Sequence, residues 1–282
     1  MKFGASTFIW ASPFSNATLD LVDRIADLGF DLIEVCVEDP STIDTAAIRK
    51  RIDSAGIGAT VCGAFGPDRD MSADDADTRR NAIDYVKRCA DIAAELGADI
   101  VVGPMYSAVG RTRMAEPTER RAQRMLAAES IREAADHAGK HGVRLAIEPL
   151  NRFETDLVNT VDQGIVLVEE VGCKNVGLLL DTFHMNIEEK SIPDALRRAA
   201  KYIFEFHACS SDRGTPGEDH LPWPGIVTAL DDVGYDGAVV IEAFTPKIKE
   251  IARAVSIWRP LAESEDALAG NGLAHLKRVF AR

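Results

Sequence analysis

Short apolar runs alternate with longer amphipathic segments along the whole chain. Runs of aliphatic and β-branched residues read as strands at 3–9, 32–37, 58–61, 100–102, 144–147, 176–180, 203–207 and 239–241. Between them, apolar positions at helical spacing predict helices over 18–28, 46–55, 76–96, 118–141, 161–171, 192–200, 226–233 and 248–258. Several of these end in a glycine that leads straight into the next apolar run, as in Leu28-Gly29-Phe30, Leu96-Gly97-Ala98, His141-Gly142-Val143 and Val171-Gly172-Cys173. Glycine at that place tolerates the left-handed turn that stops a helix. Eight strand–helix units with right-handed crossovers close most simply into a (β/α)8 TIM barrel occupying residues 1–282 as a single catalytic domain. An open doubly wound sheet is the alternative, and the missing GxGxxG after the first strand weakens it. The final segment, 266–282, has helical spacing at Leu268, Leu273, Leu276 and Val279 and predicts an additional C-terminal helix.

Composition narrows the partners. With 282 residues and 46% hydrophobic content the chain can bury one large core. No apolar stretch approaches the roughly 20 residues of a membrane span, and the first residues lack a signal-peptide plan, so the expectation is a soluble, cytoplasmic protein with no membrane partner. Cys36, Cys62, Cys89, Cys173 and Cys209 form no CxxC pair and read as reduced thiols, most of them buried. A formal charge of −13 opposes a nucleic-acid partner, because phosphate backbones are bound through clustered Lys and Arg.

In a TIM barrel, chemistry lies where strands end. Four predicted strands run abruptly into an ionisable residue: Ile147 into Glu148, Leu180 into Asp181, Phe206 into His207, and Ile241 into Glu242. Burying an unpaired charge costs several kcal/mol, so compensation is needed, and a shared divalent cation supplies it. Taken singly, each residue could equally be a strand-end cap or an ion-pair partner. Three carboxylates and one imidazole suit a hard cation, Mn2+ first, with Co2+ and Mg2+ as alternatives.

The segments Ile147-Glu148-Pro149-Leu150-Asn151-Arg152-Phe153-Glu154, Asp181-Thr182-Phe183-His184-Met185-Asn186, the run from His207 to Gly217, and Ile241-Glu242-Ala243-Phe244 together resemble the D-tagatose 3-epimerase/D-allulose (psicose) 3-epimerase family, within the xylose-isomerase-like barrels. The resemblance spans nearly the whole chain. It implies a metal-dependent ketose 3-epimerase acting on a free keto-sugar of the D-tagatose, D-allulose, D-fructose or L-ribulose type. It also implies Glu148, Asp181, His207 and Glu242 as metal ligands and Glu148 with Glu242 as the acid/base pair. Glu154, His184 and Arg213 match the family's substrate-oxygen contacts. The segments 10–14 and 102–106 match the family only loosely and leave the preferred sugar open. With the extra terminal helix, the resemblance suggests a homodimer or homotetramer.

Removing a proton beside a ketone needs an electrophile on the carbonyl oxygen, which a bound cation provides, so that an enediolate can form. Inversion then needs one carboxyl on each face of the carbon, a role for Glu148 and Glu242. Other barrel activities remain as alternatives: hydroxypyruvate or aldose–ketose isomerases, and inosose dehydratases or isomerases. A non-catalytic sugar-binding barrel would not need both glutamates. His137 and His141 stand at i, i+4 and are read as a solvated helix face, and the stretch 111–124 as a solvated loop and helix start. Phe8, Trp10, Phe14, Cys62, Met105, Trp223 and Phe244 fall near strand ends and are candidates either for walling a sugar or for plain packing.

Overall fold

The apolar runs are strands because both their faces are buried, one inside a barrel and one under helices. The computed structural model describes residues 1–281. Its strands are β1 (Lys2–Ser6), β2 (Leu32–Val37), β3 (Gly58–Gly63), β4 (Ile100–Gly103), β5 (Arg144–Ile147), β6 (Val176–Asp181), β7 (Ile203–His207) and β8 (Ala238–Ile241). They are parallel, pair in sequence order, and close through β1–β8. The helices are α1 (Asp20–Asp27), α2 (Thr45–Ala55), α3 (Ala76–Leu96), α4 (Pro117–Lys140), α5 (Val161–Val171), α6 (Thr182–Glu188), α7 (Ile192–Ala199), α8 (Trp223–Asp232), α9 (Lys249–Ala254) and α10 (Glu265–Val279). The predicted (β/α)8 barrel with an added terminal helix is therefore the observed fold.

The core divides in two. Outward strand residues such as Ile33, Val35 and Val37 pack beneath the helices, in one continuous cluster with Ile25, Ile48 and Val86. A smaller cluster, with Cys36, Cys62, Val102, Ala146 and Leu179, fills the barrel itself. Helix ends behave as the sequence predicts: Gly97 (φ +73°) and Gly172 (φ +71°) cap α3 and α5 in the left-handed region, where a Cβ would be strained.

The larger departures from the expected elements fall at β1, at α9 and after β6. β1 stops at Ser6 and not at residue 9, because the Ser6 hydroxyl accepts the Phe8 N–H and opens a 3-10 turn over Thr7–Ile9. The helix expected over 248–258 is shortened to α9, and Ser256 then takes a positive φ. A short helix absent from the sequence reading, α6, starts directly after β6, capped by the Asp181 side chain. Among the described residues no helix is long and apolar enough to cross a membrane.

Candidate active site

The parallel register carries the four strand-end residues to one rim. Asp181 and His207 are direct neighbours across β6 and β7, and Glu148 and Glu242 follow β5 and β8 by one residue. All four are at least nine-tenths buried. Asp181, His207, Cys209 and Glu242 offer donor atoms within 4.8 Å of one another, and Asp181 also groups with Glu148 and His184.

Asp181 works with both oxygens. Oδ1 accepts the Phe183 N–H at 2.6 Å and caps α6, while Oδ2 accepts from Arg213 at 2.8 Å and from the Cys209 thiol at 3.2 Å. The same Arg213 nitrogen donates to Glu242 Oε2 at 2.8 Å. Arg213 is buried, sits in the left-handed region at φ +64°, and stacks over the Phe183 ring at 4.2 Å. A non-glycine residue held there is paid for by the contacts its guanidinium makes.

His207 is oriented from behind. Its Nε2 lies 3.0 Å from Glu34 Oε2 and 3.8 Å from Glu205 Oε1, both buried inside the barrel. Donation from Nε2 to Glu34 turns Nδ1 toward the rim, 3.8 Å from Glu242 Oε2. His207 Nδ1 and Glu148 Oε1 are buried and have no hydrogen-bond partner among the described residues. Such atoms are rare in folded proteins and call for an occupant. With two further carboxylates adjacent, the donor set fits a hard or borderline divalent cation.

Electrostatics separate the two glutamates. Burial, reinforced by the Glu242 charge, pushes the Glu148 carboxyl well above its ordinary range. Burial also works against ionisation of Glu242, but the Arg213 guanidinium and His207 outweigh it and hold that carboxyl at about 2. For His207, burial lowers the pKa and is overcome by Glu34, Glu205 and Glu242, which raise it well above the usual value. His184 is pulled down by burial and then by Arg213. Its Nδ1 accepts from the Asn151 backbone at 3.0 Å and faces the Asn151 amide at 2.9 Å, while its Nε2 lies 3.1 Å from Arg213 Nη2 and 3.5 Å from Glu148 Oε1.

A cavity of about 450 Å3 opens above these groups, lined by Glu148, Glu154, His184, Arg213 and Glu242. That volume suits a small-molecule site. Asn151 also donates to Glu154 Oε1 at 2.9 Å, tying the Glu154 carboxylate to the His184 position. All seven residues singled out in the sequence thus meet at one place. Of the apolar candidates, Phe8, Cys62 and Phe244 line the cavity. Phe14 and Met105 belong to the core beneath the helices, Trp10 donates to Asp266 on α10, and Trp223 packs edge-on to His275. Arg111, read as part of a solvated loop, is instead half-buried and paired with Asp70 at 2.5 Å. Three site residues escape the sequence reading: Glu34, Glu205 and Cys209. Their signal is an acid inside an otherwise apolar strand for the first two, and a cysteine two residues beyond the strand-end histidine for the third.

The family of xylose isomerase-like TIM barrels matches residues 22–279. The chain is 35% identical over 280 residues to the "Probable ketose 3-epimerase" of Synechocystis sp., covering 99% of this chain and 97% of that one. It is 34% identical to the D-psicose 3-epimerase of Agrobacterium fabrum, covering 94% of this chain and 93% of that one. A crystal structure of a D-psicose 3-epimerase in the presence of D-fructose superimposes with a TM-score of 0.90 at 33% identity, covering 100% of both chains.

Proposed function

The chain belongs to the ketose 3-epimerases of the xylose isomerase-like TIM-barrel family, and from that premise we propose that it inverts C3 of a free keto-sugar by passing the C3 proton through Glu148 and Glu242. The observation that carries this reading is the pair of buried glutamates, placed just after β5 and β8 and lining one cavity. Inversion requires an acceptor on one face of the carbon and a donor on the other, which two carboxyl groups in one cavity can provide. Glu242, paired with Arg213, takes one of these roles. Glu148 stands across the cavity as the partner carboxyl, and the two exchange the roles of proton acceptor and donor with the direction of the reaction.

Glu148, Asp181, His207 and Glu242 would hold one divalent cation, Mn2+ first. When bound, it supplies Lewis-acid polarisation of the substrate carbonyl. The remaining work falls to side chains. The His184 imidazole and the Arg213 guanidinium engage substrate oxygens, which fixes the reacting C–H against a carboxyl. Glu154, tied to Asn151, accepts from a substrate hydroxyl at the same end. Phe8 and Phe244, whose rings lie 5.2 Å apart, exclude water from one wall. The cavity sits in the cleft of one chain, and the copy number of the assembly, proposed as two or four, does not enter this chemistry.

The test is to strip the protein with chelator, restore Mn2+, and incubate it with D-fructose, D-allulose, D-tagatose, L-ribulose and an inosose in D2O. Metal-dependent formation of the C3 epimer, with deuterium at C3 and loss of both in Glu148→Gln and Glu242→Gln, is the expected result. Bound metal without exchange at C3 of any ketose would overturn the assignment.

A further inference from the structure

On the outer ring, far from the mouth, three potential ligands converge. His137 and His141 lie one helical turn apart at the end of α4, with rings 5.1 Å between centroids. The sequence places them on one face of that helix, and the structure places Asp91 of α3 against that face. His137 Nε2 is 2.7 Å from Asp91 Oδ1, and His141 Nε2 is 3.7 Å from the same oxygen. The three donor atoms all lie within 4.8 Å of one another.

We propose that Asp91, His137 and His141 form a second cation site, selective for Zn2+ over the harder ions suited to the barrel mouth. A tetrahedral cation with bonds of about 2.0–2.1 Å holds its donors about 3.3 Å apart. The two observed separations straddle that value, so small side-chain rotations bring the three atoms into a coordination shell. Two imidazole nitrogens and one carboxylate oxygen are a borderline set that favours Zn2+, Ni2+ and Cu2+, whereas the mouth offers three carboxylates and one imidazole. The side chains are 32%, 28% and 44% exposed for Asp91, His137 and His141, which lets a cation enter from solvent and leaves its fourth position to water. The site lies where α4 turns through Gly142 into β5, at the end of the barrel opposite the cavity. Conserving structure, not turnover, is the business of that end of a TIM barrel. A cation there clamps α3 to α4.

Calorimetric titration of the chelator-stripped full chain with Zn2+ tests this, in wild type and in His137→Gln/His141→Gln. The wild type should take up one Zn2+ more than the variant, and excess Zn2+ should raise its melting temperature by about 5 °C more. Both proteins should show the same Mn2+-supported activity, since neither histidine approaches the cavity. Untagged wild type should be retained on immobilised Ni2+ and Asp91→Asn retained less. Equal Zn2+ stoichiometry in wild type and variant would sink the proposal.

Discussion

Glu34 shows how a residue inside the barrel governs one at the strand ends. It lies mid-strand in Leu32-Ile33-Glu34-Val35-Cys36-Val37 and holds His207 through Nε2. A carboxylate behind a ligating imidazole fixes the ring's tautomer and raises its basicity, and loss of such a partner typically costs 10–100-fold in metal affinity. Glu34→Gln keeps an acceptor for the ring proton and loses the charge, so Mn2+ affinity should fall by about 10-fold. Glu34→Ala loses both and should fall by about 100-fold. Mn2+ titration followed by electron paramagnetic resonance measures each, and wild-type affinity in both variants would remove Glu34 from this role. The contrast with Glu148, Asp181, His207 and Glu242 explains what a sequence discloses. Those four interrupt an apolar run at its end, where the barrel topology alone locates the chemistry. Glu205 shares a strand face with His207 two residues on, whereas Glu34 becomes its partner only once the closed barrel brings β2 and β7 to face each other across its interior, and no local pattern states that approach.

At the scale of an element, Asp181 serves two structures at once: one oxygen caps α6 and the other faces Arg213 and the neighbouring carboxylate. Substitutions can separate the two functions. Asparagine is as good a helix cap as aspartate, whereas alanine loses about 1 kcal/mol of capping. Asp181→Asn should therefore keep the melting temperature of the metal-free chain near wild type, and Asp181→Ala should lower it by a few degrees. Both should bind Mn2+ far more weakly than wild type. Equal thermal effects of the two variants would show that the cap contributes nothing to the fold. This double use also explains why α6 is invisible in the sequence reading. Asp181-Thr182-Phe183-His184 stands out as a strand end bearing polar chemistry, and that reading hides the same aspartate as a helix start. Helix stops were legible, because Gly97 and Gly172 act alone and locally. The 255–264 segment was not, because helical spacing continues past Ala254 while the chain turns away at Ser256.

For the whole molecule, folding the barrel has an acid–base consequence. Glu205 is fully buried beneath His207, with both carboxylate oxygens lacking a hydrogen-bond partner among the described residues. Burial first, then the Glu34 charge, raises its pKa to about 7, against the opposing pull of His207. The unfolded chain releases this proton near 4.5, so between pH 4.5 and 7 the folded state binds more protons than the unfolded one. Stability contributed by the neutral acid is fully present below pH 4.5, falls as pH rises toward 7, and stays lost above it. The difference amounts to up to about 3 kcal/mol. Glu205→Gln places a neutral group of the same shape at the site and does not titrate. In chelator-treated protein, the variant should match wild type in melting temperature near pH 4.5 and exceed it by a growing margin up to about pH 7, with a constant gap beyond. A gap that is the same at every pH would mean that Glu205 does not change its protonation on unfolding. A variant less stable than wild type at pH 8 would mean that the buried charge is stabilised by His207 more than it is penalised by burial.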